Sequence, residues 1–155
     1  MADRWLQTIV VGYDGTQPAE RALARTAELA KVFGARVIVA DVATPTPVQE
    51  TPVAGAFGMQ PYYFYDPAQE RRIDELLWQR HRDEIESFFA NSGISHEFAG
   101  VVGQPAAEIL EIADEHNADL IVVGTREPRF FDRLLAGSVS EGVARRAHRD
   151  VLIVH

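Results

Sequence analysis

Gly124-Thr125-Arg126-Glu127, followed downstream by Gly137-Ser138-Val139-Ser140, are the residues of this chain whose types and spacing best suit holding an anion. The apolar run Leu120-Ile121-Val122-Val123 before them is short and bounded enough for a buried parallel strand. Ser138 has Glu141 three residues on, the capping-box spacing, and Val139, Val143, Ala144 and Ala147 fall at helical intervals. Gly137 and Ser138 therefore mark a helix start, where backbone N–H groups lack intrahelical partners and the helix dipole attracts negative charge. Ser138 and Ser140 add hydroxyls, and Arg126, Arg129 and Arg133 bring guanidinium groups that match phosphate geometry. The plainer reading is a loop that only caps its helix, with solvated arginines around it.

The elements that must position these residues alternate between strand and helix. Thr8-Ile9-Val10-Val11-Gly12-Tyr13 reads as a buried strand, with Asp14-Gly15-Thr16 as the turn after it. Pro18 suits the first turn of a helix whose stripe is Ala19, Ala22, Leu23, Thr26, Ala27, Ala30 and Phe33, ending at Gly34. That mostly small face lets the helix lie close to a sheet. Val37 to Val42 forms a second strand, and Ile73, Leu76, Leu77, Ile85, Phe88 and Phe89 mark a long helix ending near Ser92-Gly93. Phe98 to Val102 is a third strand, and Gly103-Gln104-Pro105 opens a third helix with Ala106, Ile109, Leu110 and Ala113 inward. The strand at Leu120, the capped helix and Val151 to Val154 complete the set.

Five strands with helical crossovers predict one parallel sheet covered on both faces. Ligands of such sheets bind beyond the carboxyl ends of the strands, where strand order reverses. The tips after the first and fourth strands, Asp14 and Gly124, are the natural pair to line that crevice.

The chain has 155 residues, the size of one ordinary domain spanning 1–155, and no cysteine, which excludes disulfides and thiolate metal sites. No export signal is visible at Met1-Ala2-Asp3-Arg4-Trp5, and no apolar run approaches the roughly 20 residues of a membrane span. A cytoplasmic protein without membrane insertion is expected. With 15 basic against 23 acidic side chains the net charge is −8, which argues against nucleic acid as a partner.

Val10-Val11-Gly12-Tyr13-Asp14-Gly15-Thr16, Asp119-Leu120-Ile121-Val122-Val123-Gly124, and Gly137-Ser138-Val139-Ser140 through Asp150-Val151-Leu152-Ile153-Val154 resemble the universal stress protein family over nearly the whole chain. The resemblance implies an adenine nucleotide alpha hydrolase-like α/β fold of five parallel strands in the order 3-2-1-4-5. It also implies ATP, with or without Mg2+, as the bound cofactor. By the same resemblance, Asp14 contacts the nucleoside, Val42 lies beside adenine, and Gly124 and Arg126 line the ribose and phosphates. Gly137, Ser138, Val139 and Ser140 match the helix start that holds the phosphates. The family's nucleotide-binding motif is a glycine, two residues, a second glycine, nine residues, then glycine and Ser or Thr; Glu127 stands in place of the second glycine. Pro128 beside it removes a backbone N–H from the same loop.

Other functions lack their residues. A phosphoacceptor receiver needs an acidic pocket plus a lysine near the end of the last strand, and the one lysine is Lys31, in the first helix. No G-x-G-x-x-G follows the first strand, although Asp41 imitates the ribose-binding acid of dehydrogenases, and no Gly-Lys-Ser/Thr is present. The histidines His81, His96, His116, His148 and His155 show no metal-ligand spacing. Two classes remain: a nucleotide-binding regulatory protein of the stress response without catalytic residues, and a nucleotide-independent stress or scaffold protein acting through a dimer surface. Residues 43–69, rich in proline and carrying Tyr62-Tyr63-Phe64-Tyr65, suit a lid, a binding loop or an irregular surface loop. The apolar run Val151 to Val154 falls at a sheet edge in the implied order, so a homodimer through that strand is expected.

Overall fold

The computed structural model describes residues 5–45, 66–125 and 139–155. The strands are β1 (Thr8–Gly12), β2 (Arg36–Ala43), β3 (His96–Val102), β4 (Leu120–Gly124) and β5 (Asp150–Val154). The helices are α1 (Gln17–Phe33), α2 (Pro67–Phe89), α3 (Pro105–Glu115) and α4 (Val139–Arg146). All strand pairs are parallel and the order is β3-β2-β1-β4-β5, as expected. Among the described residues no helix is long and apolar enough to cross a membrane.

Unbroken apolar runs form the central strands because both faces of the sheet are covered. Ile9, Val10 and Val11 are all fully buried, yet successive side chains point to opposite faces. Val11, Val37 and Val39 join Leu23, Ile85 and Phe89 in one core, under α1 and α2. Val10, Ile38 and Val123 join Ile109, Ile112 and Val143 in the other, under α3 and α4. The small stripe of α1 works as expected, with Ala19, Ala22, Leu23, Thr26 and Ala30 buried. Asp119 fixes the register of the central pair: its Oδ2 accepts from the Gln7 and Thr8 amides at 2.8 and 2.9 Å, and its own amide donates to the Thr8 carbonyl.

The expected inward face of α2 holds only at its C-terminal end. Ile85 and Phe89 are buried, but Ile73, Leu76, Leu77 and Phe88 are 51%, 72%, 47% and 44% exposed. Length explains the difference. At 23 residues α2 is about 35 Å long, whereas the 7-residue β3 spans about 23 Å. Running against the strands, α2 therefore starts beyond their carboxyl ends and meets the sheet only in its later turns. There Trp78 lies against Gly100, and the Arg82 guanidinium sits 5.2 Å above the Phe98 ring. In α4, Val143 is fully buried while Ala144 faces solvent.

Candidate functional site

At the carboxyl ends of the strands, where β1 lies between β2 and β4, a cavity of about 320 Å³ opens between the sheet and the starts of α1, α3 and α4. Asp14, Val42, Gly124 and Val139, expected together from the sequence, all line it. Ser140 is buried at the first turn of α4 and is not part of the wall. Arg126, Gly137 and Ser138 lie outside the described residues, as do Glu127, the arginines at 129 and 133, and Tyr62 to Tyr65.

Each wall follows from local sequence. Gly15 adopts a φ of +73°, a conformation that side chains resist, and so reverses the chain directly after Asp14. The Asp14 Oδ1 then accepts from the Thr16 amide at 3.0 Å and from the Thr16 hydroxyl at 2.5 Å, which holds the carboxylate at the cavity mouth. Gly124 ends β4 against α1: a Cβ there would stand 2.2 Å from the Pro18 carbonyl oxygen. Its lack of a side chain is therefore required by helix packing, independently of any ligand. Val42 faces the α3 side of the sheet, on the same strand face as Ile38 and Ala40.

Thr44 and Ile109 also line the cavity and were not singled out from the sequence as site residues. Thr44 had a signal, two residues beyond Val42 and directly after the end of β2. Ile109 had one only in retrospect, since it depends on how far α3 slides across the sheet; its Cδ1 lies 3.0 Å from where a Cβ of Gly12 would be. Chemically, the cavity combines apolar walls from Val42, Ile109 and Val139 with a carboxylate acceptor and two threonine hydroxyls at its rim. A flat, apolar ring bearing donor groups fits that combination.

Behind the Asp14 turn, on the α2 side of the sheet, lies a second polar group. Asp41, 5% exposed, receives the His81 Nδ1 at 2.5 Å. Burial pushes the Asp41 carboxyl above its usual range, against the opposing effect of His81. Tyr13 donates to Glu84 Oε2 at 3.1 Å, and burial first, then this bond and the Glu84 charge, push its hydroxyl up to about 12. Glu84 is held below the usual carboxylate range by its bond from Arg80.

Comparison with known proteins agrees with this architecture. The model of the universal stress protein family matches residues 6–155. A universal stress protein of Thermus aquaticus is 34% identical over 149 residues, covering 96% of this chain and 98% of its own. One from Mycobacterium tuberculosis is 33% identical over 150 residues, covering 96% of both chains. A solved universal stress protein in complex with cAMP is 31% identical, covers 97% of both chains and superposes with a TM-score of 0.65. From residue 6 to its last residue, the chain belongs to the universal stress protein family.

Proposed function

We propose that this protein is a regulatory member of its family that binds an adenine nucleotide, with the base and ribose in the cavity between Asp14 and Gly124. The observation that carries the reading is the convergence of Asp14, Val42, Gly124 and Val139, from four separate segments, on one cavity of nucleoside size. Val42 and Ile109 would sandwich the base, and Asp14 would accept from the ribose hydroxyls or the base. The phosphates would run toward Arg126, Gly137, Ser138 and Ser140, where ATP would carry its own Mg2+. Occupancy would act by changing the surface shown to a protein partner, without chemistry on the nucleotide. cAMP is the second ligand to consider, because a relative 31% identical to this chain was solved with it.

The test is the nucleotide released from purified, denatured protein, read by absorbance and chromatography, followed by calorimetry with ATP, ATP plus Mg2+, and cAMP. ATP should bind, and Gly137→Asp should abolish binding by placing bulk and negative charge where phosphate would approach a helix start. Absence of binding by any of these ligands, or unchanged affinity in Gly137→Asp, overturns the reading in favour of a nucleotide-independent scaffold. A homodimer through β5 belongs to the same proposal: β5 pairs with β4 on one side, its outer edge has no strand partner among the described residues, and its residues 151–154 are uncharged.

A further inference from the structure

We propose that the Asp41–His81 pair is a positioning element for the nucleotide site, holding the Tyr13-Asp14-Gly15 turn from behind, on the face of the sheet opposite the cavity. The inference rests on the nucleotide reading of the cavity and adds a pair of residues, on β2 and α2, that face away from it.

Three contacts carry it. The Asp41 and His81 side chains are 7% and 14% exposed, and their Nδ1···Oδ2 separation is 2.5 Å, so the imidazole is held in one orientation. The Tyr13 ring meets the imidazole edge to face at 5.4 Å between centroids. The other ring nitrogen, Nε2, comes so close to Gly15 that a Cβ there would stand 2.7 Å from it. The imidazole therefore occupies the space directly behind the turn that presents Asp14, while the Tyr13 amide donates to the Ala40 carbonyl at 2.8 Å from the strand that carries Asp41. The turn is fixed on one side by the sheet and on the other by His81.

A buried carboxylate without a ligating role is costly unless it is partnered. Asp41 sits one residue before Val42 on β2, so its side chain points to the opposite face, away from the cavity. It cannot contact the ligand, and its partner is the residue behind the ligand-facing turn. When Asp41 is ionised its carboxylate can only accept, so in that state Nδ1 carries the proton, and Nε2 faces Gly15. The other charged groups near the pair are Asp14 on the turn, Asp74 on α2, and Glu84 with its partner Arg80, also on α2.

The experiment compares full-length wild type with His81→Ala and His81→Asn; asparagine can place its amide donor where Nδ1 stands. Thermal denaturation establishes that each variant folds. Backbone amide shifts of Tyr13, Gly15 and Thr16 in nucleotide-free protein, and calorimetry with ATP and with cAMP, give the two readouts. His81→Ala should move these three amides and weaken nucleotide about tenfold, as expected if the binding-competent turn falls to about a tenth of the population; His81→Asn should restore most of both. A folded His81→Ala with unmoved turn amides overturns the proposal, and so does a moved turn with unchanged affinity. Should wild type bind no nucleotide, the functional reading fails on its own, and the amide shifts still decide whether His81 holds the turn. If His81→Ala does not fold, the ring 15N shifts of wild-type His81 decide: a proton on Nδ1 supports the pair, and its absence overturns it.

Discussion

Replacing Gly124 by alanine separates two reasons for a glycine at the cavity wall. The added Cβ would stand 2.2 Å from the Pro18 carbonyl oxygen and 2.5 Å from its carbon. Carbon–oxygen contacts ordinarily stop at about 3.3 Å, so α1 must retreat by about 1 Å at its first turn. Because the obstacle is backbone, no rotamer change relieves it. Retreat loosens the contacts of Ala19, Ala22 and Leu23 with the sheet, and overpacking of this kind costs about 2–3 kcal/mol. For a domain of this size that corresponds to a fall in Tm of about 4 to 12 °C. Circular dichroism of the nucleotide-free protein reads it directly. A variant as stable as wild type without ligand, but weaker toward nucleotide, would refute the packing argument and return Gly124 to a role in ligand approach.

Two further outcomes are expected. Tyr13 has its folded pKa raised to about 12, so the stability it contributes is full below its unfolded value of about 10 and is lost as pH rises toward 12. Tyr13→Phe should therefore lose less stability than wild type over that interval in urea titrations, by about 2 kcal/mol; parallel losses would show that the phenol is not the group responsible. Full-length protein should scatter light as a dimer at low micromolar concentration, and Leu152→Lys should lower the mass. A monomeric wild type would remove β5 as the interface.

Much of the fold was legible because parallel strands buried on both faces must be apolar without interruption, as at Ile9 to Val11 and Leu120 to Val123. The pairing of Asp14 with Gly124 followed from the rule that ligands of parallel sheets bind beyond the carboxyl ends of the strands, and the strand order itself came with the family resemblance. What escaped the sequence depended on lateral placement. Ile73, Leu76 and Leu77 have helical spacing, but spacing does not say that the sheet ends before reaching them. Asp41, read as imitating a ribose-binding acid, lies on the other face and is satisfied by a residue forty positions away. A pairing at that separation leaves no local trace.

The Asp119 bonds to the Gln7 and Thr8 amides have a kinetic consequence. The β1-α1-β2-α2-β3 half and the β4-α4-β5 half each form from neighbouring segments, but they meet along the β1–β4 pairing, where Asp119 and the strand that follows it reach back across more than a hundred residues to β1. Closing a chain of that length is entropically expensive and is rewarded only once the central strands pair. The crevice has one wall from each half, so it is expected to come into being with this last closure rather than before it. A molecule that occupies it would find no foothold on a half-folded chain and would favour the completed fold as a whole.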